Sequence, residues 1–109
     1  MKLIIAVVQD DDSEELVKRL TENRYGVTKL ATTGGFLKAG NTTLMIGVAE
    51  EKVDEVINII KSICEKRKEI VVSSTTFSGE TGSYMQYPIE VEVGGANIFV
   101  VDVDKFIKL

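Results

Sequence analysis

The switching of apolar period along the chain constrains its fold more than any other feature of the sequence. Leu3 to Val8 is an aliphatic, β-branched run that reads as a strand. It gives way at once to DDDSEELVKRL, where Asp11 or Asp12 can cap a helix with Glu14 or Glu15 three residues on. Leu16, Val17 and Leu20 share one face of that helix, which should end near Asn23. Tyr25 to Thr33 and Thr42 to Val48 return to strand character, the second alternating Leu44, Ile46 and Val48 against Thr43, Met45 and Gly47. Glu50 to Arg67 then sets Val53, Val56, Ile57, Ile60, Ile63 and Cys64 at helical spacing. A fourth strand, Ile70 to Ser73, leads into a long Ser/Thr/Gly-rich run. After it, IEVEV and NIFVVDV flank Gly94-Gly95-Ala96, which reads as a tight hairpin carrying the positive-φ residues such turns need.

The order β-α-β-β-α-β with a terminal hairpin predicts an α+β fold of the split βαβ, ferredoxin-like type, as a single domain over 1–109. A chain of this length buries roughly two-thirds of its unfolded surface and needs no disulfide to fold. Two helices cover only one face of such a sheet, yet LIIAVV and IFVV are apolar at consecutive positions and want burial on both faces. Another copy of the chain is the simplest cover, so a homo-oligomer is expected.

Composition closes off most catalytic chemistry. The chain has no histidine, which excludes a Ser-His-Asp triad, a Cys-His pair and any histidine-ligated metal. Cys64 is the only cysteine, so neither an intramolecular disulfide nor a multi-cysteine zinc site is possible, and a reducing, cytoplasmic setting is expected. The apolar run at the start spans six residues and turns acidic, unlike a signal peptide or a membrane span. Ser74, Ser83 and Cys64 are available nucleophiles without an evident base. Asp10, Asp11 and Asp12 are explained more simply by helix capping than by a metal. A binding protein rather than an enzyme is expected.

Net charge is −4, which argues against a surface that tracks DNA or RNA phosphates. The acids are unevenly placed: from Asn23 through Ala49 there is no Asp or Glu, while Arg24, Lys29 and Lys38 are present. An anionic ligand would be drawn to this stretch. Within it, Gly35 to Thr42 imitates the phosphate-loop pattern GxxxxGK(S/T) but fails it. Asn41 stands where the lysine belongs, and a strand follows instead of a helix. What remains still suits anions, because Gly34, Gly35 and Gly40 let backbone N–H groups come close, with Thr28, Thr32, Thr33, Asn41 and Thr42 as neutral donors.

The plainer reading is a hairpin loop whose glycines serve the turn and whose threonines serve the strands. Phe36 and Leu37 at the apex need a cover, either a stacked base or a neighbouring subunit. Tyr25 and Phe99 read first as strand aromatics, and Lys29 and Lys38 as solvated charges. The run at 74–87 exceeds the usual connection length and is a second candidate functional segment.

Three stretches, MKLIIAVVQD, TKLATTGGFLKAGNTT and YPIEVEVGGANIFVV, together resemble the PII-like cyclic di-AMP receptor family across almost the whole chain. The resemblance implies a ferredoxin-like homotrimer without enzymatic activity or cofactor that binds cyclic di-AMP in clefts between subunits. It also implies that 74–87 is a mobile loop relaying the bound state to a downstream protein. By position it implies that Thr28 and Asn41 hydrogen-bond phosphate or adenine edges and that Gly35 and Gly47 offer backbone contacts. Phe36 and Leu37 would pack on an adenine, with Val27 lining the pocket and Phe99 close by.

Two positions depart from the family pattern: Gly26 stands in place of an arginine and Lys108 in place of a glutamine. Alternate residues of a strand share a face, so Arg24 is expected to point the same way as the missing arginine and to reach the phosphate in its place. Two other functions stay open, the same fold binding ATP or ADP, and a structural or partner-binding trimer without ligand.

Overall fold

A computed structural model describes residues 1–30, 40–76 and 84–109, and for 71–76 and 84–87 the backbone alone. Its elements in chain order are β1 (Lys2–Gln9), α1 (Asp10–Glu22), β2 (Val27–Leu30) and β3 (Asn41–Val48). A single 3-10 turn at Glu50–Lys52 precedes α2 (Val53–Cys64), and β4 (Arg67–Thr76), β5 (Tyr84–Val93) and β6 (Ala96–Asp102) follow.

Four strands form one antiparallel sheet in the order β2-β3-β1-β6, and both helices lie on one face of it. Period-two alternation puts Ile4, Ala6 and Val8 of β1 and Leu44, Ile46 and Val48 of β3 on that face. Leu16 and Leu20 of α1 and Val56, Ile60 and Cys64 of α2 close over them. All eleven are buried, and at about 1.5 to 3 kcal/mol for each fully buried large aliphatic side chain this layer is the main stabilising term. The ferredoxin-like α+β expectation is met.

The pairing of the last three strands corrects the expected hairpin. β5 pairs with β4, from Arg67↔Val93 to Thr76↔Tyr84, as a separate two-stranded ribbon. β6 instead lies against β1, from Lys2↔Asp102 to Val8↔Ala96, and so takes the sheet position expected of Ile70–Ser73. Gly94 and Gly95 do adopt positive φ, 88° and 94°, but their turn joins the ribbon to the sheet.

The ribbon is thus an insertion between α2 and the last sheet strand. Consequently much of 74–87 is strand backbone, and only 77–83 of that expected loop lies outside the described residues. The helix expected to reach Arg67 ends at Cys64, where Glu65 turns extended, and Arg67 opens β4.

The helix cap differs as well. α1 begins at Asp10, one residue before the expected caps, and Gln9 at the N-cap makes no side-chain cap bond. The acids act instead on other elements: Asp10 accepts the Thr42 hydroxyl, and buried Asp12 accepts from the Arg67 guanidinium at 2.8 Å.

Candidate ligand site

The face of the sheet opposite the helices carries the odd-numbered residues of β1, β3 and β6 and the even-numbered residues of β2. The registers align Thr28, Met45, Ile5 and Phe99 in one row across all four strands. A second row runs Gly47, Leu3 and Val101. Phe99 is 57% exposed and Val101 41%, so this face is open at its β6 edge. Asn41 begins β3 on the same face, opposite Gln9.

The structure therefore places Thr28, Asn41, Gly47 and Phe99 on one surface. It also separates them, because Thr28 and Phe99 sit on opposite edge strands, three inter-strand spacings or about 14 Å apart.

Gly47 makes a notch in this surface. Its φ is not positive, and a Cβ added there would meet nothing within 4 Å, so neither its own backbone nor its neighbours in the chain require glycine. A glycine inside a strand weakens it by roughly 0.5–1 kcal/mol and often marks close approach by a ligand or another backbone.

Two other residues grouped with this site by sequence lie on the helix side. Thr42 is buried, and with Lys29, Asp10, Ser13, Glu14 and Val17 it lines a cleft of about 550 Å³ against α1. Val27 also turns this way and packs on the core. Gly35, Phe36 and Leu37, with Gly34 and Lys38, lie outside the described residues.

Arg24 and Gly26 both lie outside β2, which begins at Val27, so strand alternation does not put Arg24 on the face expected of it. It follows α1 with φ at 65°, donating its N–H to the Thr21 carbonyl at 2.9 Å while Tyr25 donates to Leu20 at 2.9 Å. These two bonds form a Schellman motif, with Arg24 in the left-handed position and Tyr25 packed back on the core. Burial, then a hydrogen bond with Glu55, raises the Tyr25 hydroxyl above its ordinary pKa. Gly26 has no atom within 4 Å of an added Cβ and no positive φ, so a larger side chain fits there.

The base of the ribbon holds polar residues that sequence reasoning had read only as helix caps and strands. Arg67 donates to Asp12 at 2.8 Å, to Glu69 at 3.3 Å and to the Glu65 carbonyl at 3.2 Å. The Asp12 bond, followed by the charge of Asp12, raises the Arg67 pKa further. Gly94 donates its N–H to the Gln9 side-chain carbonyl at 2.7 Å.

The Cys64 thiol is pushed up to about 11, first by burial and then by the Asp12 charge, and is inert as a nucleophile at neutral pH. Among the described residues no cluster of three His, Cys, Asp or Glu could hold a metal, and no helix is long and apolar enough to cross a membrane. The open face offers the apolar side chains of Phe99 and Val101, the neutral side chains of Thr28 and Asn41 and the bare backbone of Gly47.

Known proteins match this arrangement. A solved structure of a functionally unknown protein from Pediococcus pentosaceus ATCC 25745 is 44% identical, covers 99% of this chain and 96% of its own, and superimposes with a TM-score of 0.78. The family described as cyclic-di-AMP receptor matches residues 1–109 throughout. With a ferredoxin-like body, an open sheet face and a match over its whole length, the chain belongs to the PII-like cyclic-di-AMP receptor family.

Proposed function

We propose that the protein is a cytoplasmic, non-catalytic receptor for cyclic di-AMP, and that each site is completed by a second copy of the chain within a homotrimer. The observation that carries this reading is the row Thr28, Met45, Ile5, Phe99. An adenine resting near Thr28 at the β2 edge does not reach Phe99 of the same chain, about 14 Å away across two strands. It does reach the Phe99 of a neighbour whose β6 edge lies against that β2 edge.

On this reading Thr28 and Asn41 supply hydrogen bonds, Gly35 and Gly47 backbone contacts, and Phe36 and Leu37 a shelf for the base, with Val27 supporting the strand from beneath. The exposed Phe99 and Val101 are covered when copies associate. Residues 74–87 then report the bound state to a downstream protein.

Calorimetric titration with cyclic di-AMP, cyclic di-GMP, ATP and AMP tests this. Saturable heat with cyclic di-AMP at one site per chain is expected. Heat with ATP alone moves the protein to an adenine-nucleotide sensor, and no heat with any of the four leaves a structural trimer.

Gly26 favours keeping the ATP or ADP reading in view. The family's arginine is absent there, and Arg24 serves a helix end. Because the space at residue 26 is open, Gly26→Arg is expected to fold normally. The added charge-assisted bond should tighten cyclic di-AMP binding by about 10- to 100-fold. Tighter ATP binding instead would support the other nucleotide.

A further inference from the structure

We infer that the junction Gln9–Asp12, between β1 and α1, couples the start of β3 to the root of the β4–β5 ribbon. The ligand-dependent part of this inference rests on the function proposed above; the mechanical part stands on the contacts alone.

On one side the junction holds both neighbours of Asn41. The Asp10 N–H donates to the Gly40 carbonyl at 2.8 Å, and the Asp10 carboxylate accepts the Thr42 hydroxyl. Ser13 donates its hydroxyl back to the Asp10 carbonyl at 2.8 Å and fixes the turn. Asn41 itself faces Gln9 across the ladder.

On the other side the same junction holds both strands of the ribbon. Gln9 accepts the Gly94 N–H at 2.7 Å, beside β5, and Asp12 accepts the Arg67 guanidinium at 2.8 Å, at the start of β4. There is no slack at this root. Gly95 donates its N–H to the Cys64 carbonyl, and a Cβ on Gly94 would run into the Glu65 carbonyl and come within 2.9 Å of the Arg67 guanidinium. Displacement of Gly40–Thr42 therefore reaches Arg67 and Gly94 through residues adjacent in the chain.

Asp12 is the enclosed anchor of the Arg67 side of the junction. Its side chain is 6% exposed, and its Oδ2 is buried with no hydrogen-bond partner among the described residues.

Amide hydrogen exchange followed residue by residue tests the coupling in two arms. In the ligand-free protein, Thr42→Val removes the hydroxyl bond to Asp10 while keeping side-chain volume. Exchange at Gly94 and Gly95 should then quicken about three- to tenfold, with the core amides of Ile4 and Ala6 unchanged. Ser62→Ala, which removes a hydroxyl bond within α2, should leave Gly94 and Gly95 as they were. Unchanged exchange at both glycines in Thr42→Val, or equal quickening at every amide, overturns the coupling.

In the second arm, saturating cyclic di-AMP should alter exchange at Gly94 and Gly95 in the wild type, and Thr42→Val should reduce that response at least threefold while the heat of binding persists. A full response in Thr42→Val overturns the route. If cyclic di-AMP gives no heat, the receptor reading fails, and the ligand-free arm still decides the coupling.

Discussion

Arg24 illustrates how a single residue can be placed correctly in the chain and wrongly in space. Its charge and its neighbourhood to Thr28 were legible in the sequence. Its backbone was not, because the left-handed turn that ends α1 usually announces itself by glycine or asparagine, and here an arginine fills that position. An L-residue other than Gly or Asn held there costs roughly 1–2 kcal/mol. Arg24→Gly is therefore expected to raise stability by about 1 kcal/mol in urea unfolding. The same variant measured against cyclic di-AMP separates the two roles: unchanged affinity shows that Arg24 serves the helix end alone, and weaker binding shows that it also meets phosphate. Cys64, by contrast, is legible from helical period alone, which puts it on the apolar face of α2.

At the scale of elements, the sequence told strand from helix and inner face from outer, since both follow from apolar period. It did not tell which strands pair, because alternation carries no partner label. β5 was assigned to β6 on the strength of two glycines, although a competing signal stood in the charges. Lys66 and Lys68 on one arm meet Glu92 and Glu90 on the other, at 3.7 and 3.5 Å. Such exposed pairs add little stability, yet they favour this register over others.

The glycines do have a requirement, which is the tight root of the ribbon. Gly94→Ala should lower stability by roughly 2 to 4 kcal/mol, through the positive φ and the overlap with Glu65 and Arg67. Gly95→Ala, whose Cβ would meet only the flexible Lys66 side chain at 3.4 Å, should cost clearly less. Equal losses in urea unfolding would contradict this account of the root.

For the whole molecule, the open sheet face was foreseen from LIIAVV and IFVV, whereas the separation of Thr28 from Phe99 needed the strand order. That separation makes a mixing experiment decisive. Neither the Thr28→Ala nor the Phe99→Ala protein should bind cyclic di-AMP well by itself. Refolded together in equal amounts, they should regain about a quarter of the wild-type sites, because each mixed cyclic trimer contains one interface with both native residues. Sites built within one chain would regain none, as a stoichiometric titration would show.

The ribbon's position as an insertion has a further consequence, for how the protein is made. β1 finds its β6 partner across most of the chain, Lys2 opposite Asp102, and β6 follows the ribbon in order of synthesis. During synthesis β1 must then wait, with one edge unpaired, until the whole ribbon has left the ribosome. Closing so distant a pair is slow compared with forming the helices, and through that interval the apolar edge of β1 is open to wrong partners.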